Sequence, residues 1–257
     1  MNNKRSKICS EITVRHWKKV KMIPRPWLKE FVLDELRPLV PADLPPLILP
    51  INHDEVRRIA RAENGDQLVR LPDSLQQNHI YSRLESITMP RDMYARASVV
   101  KRLEEAQKQL PEGLDLFILD TWRTLAFQEE LGEIYLDEDP ELRPGSVAST
   151  SDTYIDPPHT TGGAVDLTLS YKGIGLPLGT DFDSFDDLAE SNYFESIPPE
   201  ADPYQLLIRD LRRLLSMVLI QQEFAPYLQE WWHFSYGDQR WAAQYGHNSS
   251  LFSMIRQ

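Results

Sequence analysis

Six histidines occur in the chain: His16, His53, His79, His159, His233 and His247. Two of them stand near carboxylates in runs that could do chemistry. His159 lies in Pro157-Pro158-His159-Thr160-Thr161-Gly162-Gly163-Ala164-Val165-Asp166, and His233 closes Glu230-Trp231-Trp232-His233. Two imidazoles and one carboxylate are a usual ligand set for a catalytic zinc, with the fourth position left to water. The glycines after His159 permit a sharp turn from loop into strand, which can return Asp166 toward His159. Taken singly, each residue also fits a plainer role. A loop histidine sits at the surface, an aspartate bonds a neighbouring loop, and a tryptophan pair fills core.

The elements that must position these residues are three strands. Ala164 to Ser170 alternates cleanly, with Val165, Leu167 and Leu169 on one face and Asp166, Thr168 and Ser170 on the other. Trp231 to Tyr236 alternates too, setting Trp231, His233 and Ser235 against Trp232, Phe234 and Tyr236. Leu114 to Asp120 is short and apolar but alternates poorly. Asp166 and His233 thus fall on the polar faces of their strands. Helices are expected over 91–110, 124–136 and 203–222. The last opens with Asp202-Pro203, a cap followed by proline at the first helical position, and carries a stripe of Leu207, Leu211, Leu214, Leu215 and Val218. Strands and helices mix without a βαβ rhythm, so the expected class is α+β, a single domain with a small antiparallel sheet.

Composition narrows the functions. The net charge of −11 makes a broad nucleic-acid surface a poor fit. Cys9 is alone, so an intrachain disulfide and a multi-cysteine metal site are both excluded. The apolar run from Leu214 to Ile220 is far too short for a membrane span. Lys4, Arg5 and Lys7 are followed by no apolar core, so no secretory signal is read and the expected address is cytoplasmic. Residues 1–29 hold nine Lys/Arg against Glu11 alone, either a solvated tail or an arm for an anionic partner. From Pro38 to Pro50, five of thirteen residues are proline. The division read from this is a basic, proline-rich extension over 1–50 and a catalytic domain over 51–257.

The motifs in order resemble those of the D-alanyl-D-alanine dipeptidases of the vancomycin-resistance type. His159-x-x-Gly162-x-Ala164-x-Asp166 is similar to their first zinc motif, and Glu230-Trp231-Trp232-His233-Phe234 to their second. Leu178-Gly179-Thr180-Asp181-Phe182-Asp183 is similar to a segment between the two, and Asp120-Thr121-Trp122-Arg123 sits where the family has Asp-Gly-Tyr-Arg. The resemblance spans about Tyr81 to Gly237. It implies one zinc per chain, held by His159, Asp166 and His233. It implies that Glu230 is the general base, that Arg123 stabilises the oxyanion, and that Asp183, or else Asp181, receives the ammonium of a small dipeptide. A regular strand puts residues i and i+3 on opposite faces. Glu230 is therefore expected to precede the strand of His233, or to be re-aimed by a bulge.

Departures from the pattern bear on the substrate. Pro157 and Pro158 stand where the family usually has a serine that grips substrate, and Thr161, Trp122 and Thr124 replace family residues. His159-Thr160-Thr161-Gly162 is closer to the D,D-carboxypeptidase branch. Three readings follow: a zinc D,D-dipeptidase; a D,D-carboxypeptidase or peptidoglycan-fragment peptidase on the same fold; and a zinc-holding protein without turnover. Glu230 speaks against the third, since an inert site needs no base. The oligomeric state is not legible.

Overall fold

The structure is a computed structural model, and it describes residues 33–47, 53–84, 86–141 and 147–256. The basic run 1–29 lies outside the described residues, so nothing structural bears on whether it is tail or arm.

In chain order the elements are α1 (Leu33–Leu36), α2 (His53–Val56), β1 (Leu68–Arg70), β2 (Gln76–Gln77), β3 (Tyr94–Arg96), α3 (Ala97–Gln107), β4 (Leu114–Asp120), α4 (Leu125–Glu138), β5 (Ala164–Tyr171), β6 (Ile174–Gly175), α5 (Pro203–Ile220), β7 (Ala225–Pro226), β8 (His233–Ser235) and α6 (Gln239–Gln244). The class is α+β. One six-stranded sheet runs β2-β4-β5-β8-β7, with β6 paired to β5, and β1 and β3 form a separate antiparallel pair. The six-stranded sheet is antiparallel except at one edge, where β2 joins β4 in parallel.

β5 is the axis of the molecule. Val165, Leu167 and Leu169 are buried in the hydrophobic core, against which α3 and α5 pack. The α5 stripe of Leu207, Leu211, Leu214, Leu215 and Val218 is fully buried. Each such side chain contributes on the order of 1.5–3 kcal/mol. Asp202 caps the helix by accepting from the Tyr204 N–H at 2.8 Å. Leu36, Val40 and Leu44, from the described part of the proline-rich leader, enter the same core. Arg213 of α5 donates to the Leu44 carbonyl at 3.2 Å.

Two departures from the expected elements have clear causes. The helix expected over 91–110 begins only at Ala97. Tyr94–Arg96 pair with β1 instead, Arg96 being extended and opposite Leu68. The poor alternation of Leu114–Asp120 is a bulge: Ile118 pairs with Leu167, but the next registered pair is Asp120 with Asp166, so Leu119 is an extra residue. That residue turns Asp120 toward the polar side of β5.

Candidate metal centre

The site forms at the end of the sheet where β4, β5 and β8 lie side by side. Asp166 of β5 is registered against Asp120 on one flank and His233 on the other. His159 arrives from the preceding one-turn helix Pro158–Thr161, which Pro158 opens and Gly162 closes at φ 76°. The chain then passes Gly163, where a Cβ would lie 2.3 Å from the Tyr236 carbonyl oxygen. A side chain there would drive the start of β5 away from the residues after β8, so the turn that returns Asp166 toward His159 depends on glycine.

Donor atoms of three residues converge. His159 Nε2 lies 3.2 Å from His233 Nδ1 and 3.3 Å from Asp166 Oδ2, and His233 Nδ1 lies 3.0 Å from Asp166 Oδ1. Bonds of about 2.0–2.1 Å to a tetrahedral zinc place ligand atoms roughly 3.3 Å apart; the separations here are of that order but draw on both Asp166 oxygens, and with one atom from each residue the three lie within 4.8 Å of one another. The outward nitrogens are also engaged. His159 Nδ1 donates to the Thr121 carbonyl at 2.6 Å, which leaves Nε2 as a lone pair facing inward. His233 Nε2 faces Ser235 Oγ at 3.3 Å. With its proton on that side, the two inward nitrogens oppose lone pair to lone pair, an arrangement that a cation relieves. The residues present therefore fit a metal ion. All three are buried, and among the described residues they form the one His/Asp/Glu/Cys group so arranged.

The electrostatics follow from burial among charges. Burial alone would raise the Asp166 carboxyl, but the imidazoles of His159 and His233, when they act as donors in place of a cation, hold it well below the usual carboxylate range. Burial pushes the His233 imidazole down against the pull of Asp166. Burial raises the Glu230 carboxyl well above its ordinary value, and the charges of Asp166 and Asp183 add to this.

Glu230 is brought to the site as expected, and the geometric tension resolves without a bulge. Its carbonyl accepts from the His233 N–H at 3.1 Å, so residues 230–233 are a turn that ends where β8 begins. Glu230 Oε2 thereby reaches 3.8 Å from His233 Nδ1. Arg123 is buried rather than superficial. It donates to Asp120 Oδ2 at 2.6 Å and to Gln128 Oε1 at 3.0 Å, and its Nη2 stands 3.6 Å from Asp166 Oδ2.

Asp183 lines the same pocket as the three donors, Glu230 and Arg123, a cavity of about 740 Å³. It adopts φ 56°, a left-handed backbone held from outside. Its carboxylate accepts from the hydroxyls of Tyr81 and Tyr135. Asp181 is not among the pocket-lining residues, and Asp186 and Asp187 are exposed. The segment carrying Asp183 is tied down by Arg212, whose buried guanidinium donates to the carbonyls of Leu178, Leu188 and Glu190 at 2.7–2.8 Å.

Sequence reasoning missed several residues of the site. Tyr81 and Tyr135 grip Asp183. Arg240 and Tyr227 also line the cavity. A tyrosine on a buried helix face carries no local signal for a partner elsewhere in the chain.

The comparison that decides the relationship is with a family model. Residues 78–250 match the D-Ala-D-Ala dipeptidase model of the M15 peptidases. The chain belongs to that family. The M15 match spans every residue singled out above, from Tyr81 to Arg240. The chain is also similar to a D-alanyl-D-alanine dipeptidase of Synechocystis sp., with 27% identity over 196 residues, covering 65% of this chain and 79% of that protein. Membership makes the chain a peptidase of metal-dependent type. No helix among the described residues is long and apolar enough to cross a membrane.

Proposed function

We propose that the protein is a zinc-dependent D,D-dipeptidase acting on D-Ala-D-Ala or a similar small dipeptide. The observation that carries this reading is one pocket that holds a three-donor face, a carboxylate 3.8 Å from one donor, and a second carboxylate held by two tyrosines. His159, Asp166 and His233 would hold the zinc; two imidazoles and a carboxylate suit it, and one ion per chain follows. A bound zinc supplies Lewis acidity, acidifying water and polarising a carbonyl.

The remaining chemistry belongs to the chain. Glu230 takes the proton of the attacking water at Oε2 and delivers it to the leaving amine; its raised proton affinity suits both halves of that transfer. Arg123 stabilises the charge that develops on the scissile oxygen. Asp120 and Gln128 fix its guanidinium in place beforehand, which is what such stabilisation requires. Asp183 binds the substrate ammonium, whose burial without a counter-charge would be costly. The catalytic domain is assigned to residues 51–257, with 1–50 as an extension.

One observation favours the second reading, a D,D-carboxypeptidase. The cavity of about 740 Å³ falls in the range that takes ligands larger than two alanines. A single screen separates the two. Purified protein should contain close to one zinc per chain and should cleave D-Ala-D-Ala but not its N-acetyl form. Preference for N-acylated or longer peptides ending in D-Ala would transfer the assignment to the carboxypeptidases. Cleavage of neither, with zinc bound, would favour a binding protein.

A further inference from the structure

The pocket holds a cation, Arg240, that has no ion pair among the described residues. Arg123 is paired with Asp120, and its Nη2 faces Asp166. Arg57 and Arg61, beside the outer wall, are paired with Asp152 and Asp156. Arg240, at the start of α6, lines the cavity and makes no ion pair with any described residue, and its Nε is buried without a hydrogen-bond partner. Only an aromatic face supports it: the guanidinium carbon lies 3.8 Å over the Tyr227 ring. That ring also meets the edge of His233, centroid to centroid at 5.6 Å. Arg240 is thus one ring removed from a metal-ligand candidate.

An arginine packed on an aromatic ring keeps its planar fork oriented but leaves its in-plane donors free. Placed in a cavity beside a reacting centre, such a fork matches a carboxylate in two-point contact. The substrate carries such a group. In a dipeptide the terminal carboxyl carbon is three bonds from the scissile carbonyl carbon, on the side opposite the ammonium. Asp183, Glu230 and Arg240 all line the one cavity, which thus offers a site for a cation and a site for an anion beside the base.

We infer that Arg240 is the specificity residue that receives the free C-terminal carboxylate of the substrate. The inference rests on the peptidase reading but not on the dipeptidase branch of it, because a carboxypeptidase substrate ends in the same group.

The test measures binding and cleavage with two matched ligands, D-Ala-D-Ala and its C-terminal amide. Calorimetry on zinc-loaded Glu230→Gln protein gives affinities without turnover. The acid should bind at least about tenfold tighter than the amide, the scale of one charge-assisted contact. In Glu230→Gln/Arg240→Gln the ratio should fall to near one, and Arg240→Lys should restore part of it. The ratio is read rather than the absolute affinity, so a general loosening around Tyr227 would not imitate the result. An unchanged ratio in the Arg240→Gln protein, or equal binding of acid and amide at the outset, overturns the inference; if neither free dipeptide binds, the same ratio is read on the N-acetylated pair, and equality there overturns it. Kinetics with N-acetyl-D-Ala-D-Ala and its amide separate the two claims. If the acylated acid is cleaved in preference to its amide and the preference vanishes in Arg240→Gln, Arg240 keeps its role and the dipeptidase reading falls.

Discussion

The metal side and the substrate side of the pocket are built by different means. On the metal side, Asp120, Asp166 and His233 occupy registered positions on three adjacent strands, so the backbone ladder fixes their separation. On the substrate side, Asp183 sits at a left-handed residue in a loop, Glu230 opens a turn, and Arg240 starts a six-residue helix. Nothing periodic places these three. Side chains from elsewhere do: Tyr81, Tyr135 and Arg212 around Asp183, and Tyr227 under Arg240. A ladder is cooperative and resists single changes, whereas struts can be removed one at a time.

If this contrast is right, damage on one side should leave the other intact. The largest effect is expected from His233→Ala, which removes a donor from the ladder. Zinc content and activity should both fall to background while the chain stays folded by circular dichroism; full zinc occupancy would remove His233 from the metal set. Glu230→Gln should keep the zinc yet lose about 10²–10⁴-fold in turnover, the span for a general base. Retention of normal turnover would leave the pocket without its proton carrier.

Arg212→Met takes away a strut. Three carbonyls, one buried and two part-buried, lose their donor, and at roughly 1–3 kcal/mol for a buried unsatisfied group and less where water reaches, the loss should be about 3 kcal/mol in a denaturant titration. Zinc should remain, because no strand is touched. Loss of zinc would show that the two sides are one cooperative unit.

Asp183→Asn should raise KM for free dipeptides by about 10- to 100-fold, the worth of a hydrogen bond to a charged partner, with zinc unchanged. An unaltered KM would take the ammonium away from Asp183. The smallest effect belongs at the far end of β5. There Lys172 reaches Glu35 at 2.6 Å across an exposed surface. Exposed pairs of this kind contribute little, so Lys172→Ala should leave Tm, zinc and turnover alike unchanged.

The same contrast explains what could be read from the sequence. Asp166 and His233 were legible because strand alternation sorts residues by face, and β5 and β8 are registered as that alternation requires. The capped helix over 203–220 was legible from Asp202-Pro203 and its leucine stripe. The bulge at Leu119 was not, since one inserted residue merely blurs a short pattern. Nor were β1, β2, β3, β6 and β7, whose two or three residues are too brief to show a period, whereas the three residues of β8 lie inside the longer alternating run Trp231 to Tyr236, of which only His233–Ser235 is strand. Asp183 came from a motif rather than from physics. Its tyrosine partners lie 102 and 48 residues away in the chain, beyond any local signal. Arg240 has no pattern at all; only the folded chain shows that it makes no ion pair with a described residue.

The strand register also sets an order of events. Asp166 and His233 are separated by 67 residues, and His159 and His233 by 74. The ion's binding face therefore does not exist as a local motif that could be captured during early collapse. Closing a loop of that length costs about 4 kcal/mol in chain entropy before any contact is gained. That cost must be met by packing β5 and β8 against the core. Metal capture then follows the pairing of β5 with β8, the most non-local of the strand pairings, and is a late step on the folding path. An ion bound only by the finished site draws the equilibrium toward the native state without hastening the approach to it.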